Sequence, residues 1–97
     1  MNNWELRPRA ERDLVQIWHY SDDEWGRAQA DQYVSAIFDR CEAIARGDYI
    51  LPETNRIFGE IFKLRSGSHN IIFRRVRDRV IVLRILHERM DIRRHLS

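Results

Sequence analysis

The stretch Arg84-Ile85-Leu86-His87-Glu88-Arg89-Met90-Asp91 gathers an imidazole, two carboxylates and two guanidinium groups at the end of an aliphatic run. A histidine titrates near neutral pH and can move protons. Arginines stabilise charge on a phosphate during transfer. Cleavage of RNA through its 2′-hydroxyl needs a base, an acid for the leaving oxygen, and cations around the crowded phosphate. Arg65 and Arg84 would hold such a phosphate, with His87 or Glu88 moving the protons. The same residue types also suit a protein interface, in which arginine anchors sit among apolar contacts. A strand end that satisfies its polar groups internally would read alike. The choice depends on which side of a strand each side chain occupies.

Val80-Ile81-Val82-Leu83 reads as a buried strand, and strand patterns cover 60–65, 68–76 and 80–86, separated by Ser66-Gly67 and Arg77-Asp78-Arg79. A one-residue slip exchanges the two faces of a strand. Centring the last hairpin on Asp78 sets Phe73 against Leu83, Ile71 against Ile85 and His69 against His87. A turn at Ser66-Gly67 sets Leu64 against His69 and Phe62 against Ile71. One face then collects Phe62, Leu64, Ile71, Phe73, Leu83 and Ile85, with His69 and His87 at its end as structural hydrogen-bonding groups. The other collects Ile61, Lys63, Arg65, Ile72, Arg74, Val82 and Arg84. That face is both aliphatic and basic, which suits an acidic, partly apolar partner. Long arginine stems lying over their own neighbours are the alternative.

The elements that position this sheet come earlier. Trp4-Glu5-Leu6 is a short strand stopped before Pro8, which a first helical turn accepts. Ala10, Leu14, Ile17, Ser21 and Trp25 keep helical spacing over 9–24. Gly26 ends that helix, and Ala30, Tyr33, Val34, Ile37, Cys41, Ile44 and Ala45 trace a second amphipathic face up to Gly47. The pair makes an antiparallel hairpin, with Trp18 and Trp25 assigned to its core. Residues 48–56 contain Pro52, Thr54 and Asn55 and read as a loop. A short helical turn over 90–96 closes the chain. The fold class is α+β, with the hairpin covering one face of an antiparallel sheet in a single domain, 1–97.

The 97 residues include 43% hydrophobic ones, enough for a small core. The single cysteine excludes an internal disulfide and a Cys-based zinc set. His87 and His95 match no helical ligand pair, so neither metal nor cofactor is expected. Cys41 reads as an inert buried thiol. No signal peptide and no run approaching ~18 apolar residues is present, so a cytoplasmic protein with no membrane association is expected. Charge is divided: residues 1–55 carry 6 Lys and Arg against 11 Asp and Glu, net −5, and residues 56–97 carry 11 against 4, net +7. The basic half should steer an acidic partner.

"AERDLVQIWHYSDDEWGRAQADQY" (10–33), "GSHNIIFRR" (67–75) and "RILHERMDIRRHL" (84–96) together resemble the ParE toxins of bacterial type II toxin–antitoxin modules. The resemblance spans almost the whole chain in order. It implies the helical-hairpin-on-sheet fold of the RelE/ParE superfamily and a ParD-like antitoxin partner, whose C-terminal segment wraps the toxin. It also implies a toxin that inhibits DNA gyrase and so blocks replication, in which case no catalytic residue is required. RelE-like relatives instead cut messenger RNA on the ribosome, and a remnant that only binds antitoxin is a third reading. RelE-like nucleases combine several basic residues with a C-terminal Tyr or His. Here Tyr20, Tyr33 and Tyr49 all precede the sheet. The inferred parity also separates Arg84 from His87. The antitoxin surface is therefore expected at Ile61, Lys63, Arg65, Ile72, Arg74, Val82 and Arg84, and the target surface at Arg65, Arg84, Arg89 and Met90. No base-reading motif is visible, so strong direct nucleic-acid binding is not expected.

Overall fold

Pro8 occupies the first turn of helix α1 (Pro8–Trp25), where its missing N–H costs nothing, and Gly26 at φ +92° both ends α1 and opens α2 (Arg27–Arg46). Gly47, left-handed at φ +78°, closes α2, and its N–H and that of Asp48 donate to the Ile44 and Ala43 carbonyls. These helices follow β1 (Trp4–Leu6) and precede β2 (Arg56–Phe58), β3 (Ile61–Ser66), β4 (His69–Val76), β5 (Arg79–His87) and α3 (Ile92–Leu96). A 3-10 turn at Glu53–Asn55 leads into β2. The computed structural model describes residues 3–96, so the two ends of the expected 1–97 domain lie outside the described residues.

The five strands form one sheet in the order β1-β5-β4-β3-β2. It is mixed rather than purely antiparallel, because β1 runs parallel to β5. The chain between these two strands is far longer than a hairpin, so a parallel pairing is geometrically open. The loop expected at 48–56 yields its last residue to β2, which pairs with β3 through Arg56–Phe62 and Phe58–Ile61.

Register decides the faces. Between β3 and β4 the observed pairs are Ser66–His69, Leu64–Ile71 and Phe62–Phe73. The turn therefore centres on Gly67-Ser68, two residues from the expected register, and a two-residue shift preserves each face. Between β4 and β5, His69–His87 and Ile71–Ile85 pair as expected. A bulge then sets Phe73 against Val82. The tip turn is one residue shorter than inferred, and Leu83 is the extra residue that absorbs the difference. Val82 consequently belongs to the helix-side core with Val80 and Phe73, while Leu83 joins the outer cluster. That is a correction at two positions.

Ala10, Leu14, Ile17, Ile37, Cys41 and Ile44 of the helices pack on Ile71, Phe73, Val80, Val82 and Ile85 of the sheet. On the opposite face Ile61, Ile72 and Leu86 form a second cluster, overlaid by Ile57, Leu83, Ile92 and Leu96. The outer face is thus not an open aliphatic surface, as α3 lies across part of it. Trp18 ties the hairpin through its indole N–H to Asp31 Oδ1 at 2.8 Å. Trp25 was assigned to the core and is instead 65% exposed, edge-on to Tyr20. It lies at the hairpin tip, beyond the end of the sheet-covering stripe.

Candidate functional site

β1 pairs only with residues 80–82 of β5, which leaves the rest of that strand without a neighbour on one side. Asp13, on the sheet-facing side of α1, fills the gap. The Ile85 backbone N–H donates to Asp13 Oδ2 at 2.9 Å. The Arg84 guanidinium donates to both Asp13 oxygens, from Nε at 2.8 Å and Nη2 at 3.0 Å. Its Nη1 donates to the His95 carbonyl of α3 at 3.1 Å. Side-chain exposures of 14% for Arg84 and 11% for Asp13 place this pair inside the molecule. The hydrogen bonds to Asp13 raise the Arg84 pKa, against the opposing effect of its burial. The pair joins α1, β5 and α3 in one bidentate contact.

Around this pair opens an edge cleft of about 390 Å³, lined among others by Tyr20, His69, Arg84, His87, Met90 and His95. Strand parity had separated Arg84 from His87. The structure brings both to one cleft, because the Arg84 side chain turns around the open edge of β5 toward Asp13. Parity governs where a side chain leaves the backbone, not where a long one ends.

His69 and His87 meet edge-to-face with centroids 5.3 Å apart. Tyr33 of α2 reaches them, its hydroxyl 2.6 Å from His69 Nδ1. The same oxygen accepts the Ser68 backbone N–H at 2.9 Å. With the tyrosine hydroxyl donating, the neutral His69 ring carries its proton on Nε2. Burial depresses the His69 pKa below its usual value, and His87 pushes in the same direction while Asp13 and Glu88 oppose it. His87 Nδ1 accepts the Arg89 backbone N–H at 3.2 Å. The Tyr33 hydroxyl also lies 3.4 Å from the Ser66 carbonyl, the other group to which it can donate.

The other sequence-selected residues fall in three places. Arg65 bridges to Glu88 at 2.6 Å and donates from Nε to the Gly67 carbonyl, beside exposed Arg89 and 46%-exposed Met90. Lys63 lies in an adjoining shallow depression with Asn70, Glu88, Met90 and Ile92. Ile61, Arg74 and Arg84 line a third cleft, between the start of α1 and α3. Ile72 and Val82 are fully buried, so neither side chain is on the surface. Sequence reasoning missed Asp13, Tyr33, Arg7 and Arg9. Asp13 stands near the start of the quoted stretch 10–33, between Ala10 and Leu14 of the apolar face, and its acidic side chain there was the available signal. The other three depend on contacts between distant elements.

The chain as a whole resembles known proteins in sequence and fold. The family model described as "ParE toxin of type II toxin-antitoxin system, parDE" matches residues 4–92. The chain belongs to the ParE toxin family. "Toxin ParE1" of Caulobacter vibrioides is 35% identical over 97 residues, covering all of both chains. "Toxin ParE1" of Mycobacterium tuberculosis is 35% identical over 92 residues, 94% of each chain. "Toxin ParE" of Escherichia coli is 30% identical over 98 residues, covering 100% of this chain and 95% of that one. A solved structure titled "Chromosomal ParDE TA system from P. aeruginosa" superposes with a TM-score of 0.73 over 90% of this chain and 96% of the other, at 16% identity. That last likeness establishes the ParE fold. No helix among the described residues is long and apolar enough to cross a membrane.

Proposed function

We propose that this ParE-family chain is the toxin of a two-gene module, held inactive by a ParD-like antitoxin, and that the free toxin traps DNA gyrase and blocks replication. The observation that carries the choice over RNA cleavage is the state of Arg84. It is the arginine that shares the edge cleft with His69 and His87, and its charge is already neutralised bidentately by Asp13. A phosphate entering the edge cleft would have to displace a largely buried carboxylate that also holds the Ile85 N–H. In this reading His69 and His87 hold the end of the sheet. The exposed group Arg65, Arg89 and Met90, with Arg84 behind it, meets the target. The antitoxin engages the outer side through Lys63, Arg65 and Arg74, in the cytoplasm, while Ile72 and Val82 are buried and take no part in that contact.

Purified protein should inhibit gyrase supercoiling or accumulate cleaved DNA, and leave ribosome-bound messenger RNA intact. Cleavage of mRNA with unaffected gyrase would establish the nuclease reading instead. Expression of the chain alone should arrest growth, and co-expression of the neighbouring antitoxin gene should restore it. Harmless expression with antitoxin affinity retained would identify a binding-only remnant.

A further inference from the structure

Arg84 and His95 line both the edge cleft and the cleft of about 510 Å³ between the start of α1 and α3, so they form the partition between the two. The hydrogen bond from Arg84 Nη1 to the His95 carbonyl, 3.1 Å, closes that partition. Arg84 lies opposite Ile72 of the outer cluster, yet its guanidinium is gripped by Asp13 of α1, whose helix packs on the other face of the sheet. One side chain therefore passes the open edge of β5 and joins α1 to α3. The rest of what seats α3 is slight. The helix has five residues, none of them buried, and a helix that short does not hold itself in water. Ile92 and Leu96 rest on the smaller cluster of Ile61, Ile72 and Leu86. Arg93 Nη2 donates to the Ile57 carbonyl at 3.2 Å, but that bond is exposed, whereas the one from Arg84 is partly buried.

We infer that α3 is a hinged strap over the outer face and that Asp13 is its positioning residue, acting through Arg84. A free arginine side chain spreads over many rotamers. Asp13 removes that freedom by taking Nε and Nη2, which leaves Nη1 aimed at α3. The last carbonyls of a helix have no partner within it, and the aimed donor supplies one. The hinge is the segment 88–91, where the Met90 N–H turns back to the His87 carbonyl. Release of His95 would fuse the two clefts into one groove along the β5 edge and uncover Ile61, Ile72 and Leu86. The larger core lies on the far face of the sheet and would stay closed, so the opening is local rather than global. Arg89 and Met90 lie within the hinge, and the strap therefore also sets how they are presented. That consequence rests on the proposed target surface; the strap itself does not.

Thiol labelling of the full chain measures this opening. Cys41 is buried in the larger core, whereas Ile72 is fully buried beneath α3. An Ile72→Cys variant thus carries two reporters, one for the strap and one for the core, which iodoacetamide and peptide mass spectrometry read separately. Leu86→Cys, in the same cluster and 1% exposed, provides a second strap reporter should Ile72→Cys melt early. The strap thiol should label faster than Cys41. Adding Asp13→Asn or Arg84→Met should each raise its rate relative to Cys41 by about 5–20-fold. The two changes together should do no more than either alone, because they break one relay. Glu5→Gln, which removes the exposed pair with Arg79, should leave the ratio within about twofold. A merely structural loss of stability speeds both thiols together and keeps the ratio constant, so an unchanged ratio in Asp13→Asn would overturn the inference. A ratio raised by Arg84→Met alone would equally remove Asp13 from the role. The measurement needs neither target nor antitoxin, so a negative gyrase assay leaves it standing.

Discussion

At Gly67 a Cβ would stand 2.7 Å from the Tyr33 ring, and the backbone sits at φ +59°. A methyl group there meets steric resistance from the ring and conformational strain together, while the ring is held by His69 and the Ser68 N–H. Gly67→Ala should therefore cost about 2–3 kcal/mol in urea unfolding. A change below about 0.5 kcal/mol would mean that Tyr33 swings away freely. His69 links the same cluster to pH. Its folded pKa lies below the unfolded value of about 6.5, chiefly through burial, then through His87. The unfolded chain thus takes up its proton first. This contribution to stability is complete above about pH 6.5 and is lost as pH falls through that value, levelling off below the folded pKa. Asp13 and Glu88 moderate the effect without reversing it. Wild type should lose more stability between pH 7 and pH 5 than His69→Gln, measured by urea midpoints; parallel profiles would remove His69 as the cause. Burial pushes the Cys41 thiol up to about 12, with Glu42 adding to the shift, so it stays protonated and hidden.

The α1–β5–α3 junction shows how an element's edge is completed by a side chain rather than by a strand. Asp13→Ala would leave the Arg84 guanidinium without its counter-charge and the Ile85 N–H without an acceptor. Removing one partner from an enclosed pair costs more than the pair contributes, here about 3 kcal/mol. Asp13→Asn keeps an acceptor for Ile85 and should recover part of the loss. Equal denaturation midpoints for both variants and wild type would show that the contact contributes nothing. The helices were legible at this scale because Pro8, Gly26 and Gly47 punctuate clear 3.6-residue patterns. The β4–β5 turn was less so. Arg77 holds φ +57° where a glycine or asparagine would have announced the bend. The bulge that compensates for it has no sequence mark of its own, which is why Val82 and Leu83 exchanged faces. Likewise α3 was anticipated as a helical turn, but its seat on Ile61, Ile72 and Leu86 depends on contacts between elements distant in the chain, which no local pattern marks.

Across the whole molecule the acidic and basic halves of the sequence do not become two separate poles. Glu5–Arg79 and Asp13–Arg84 join them with ion pairs of 2.6 and 2.8 Å. Arg7 and Arg9 of the first half also line one cleft with Arg74 of the second. Linear charge counts made a basic surface legible but could not locate it, because folding cancels some charges and gathers others. A 97-residue chain also has a small core, split here by the sheet into a larger and a smaller cluster. Such a domain has little stability to spare, so a partner that binds only the folded state should register strongly. Antitoxin at about 100 times its Kd adds about 2.7 kcal/mol by mass action. For a domain of this size that corresponds to a rise in Tm of about 10–20 °C. Thermal melting followed by tryptophan fluorescence should display this shift with the antitoxin. It should shrink with a Lys63→Ala/Arg74→Ala variant at the same antitoxin concentration, since weaker binding lowers the mass-action term. A shift that is absent in wild type would contradict antitoxin binding to the folded toxin, whereas an equal shift in both proteins would place the antitoxin's anchor elsewhere on the surface.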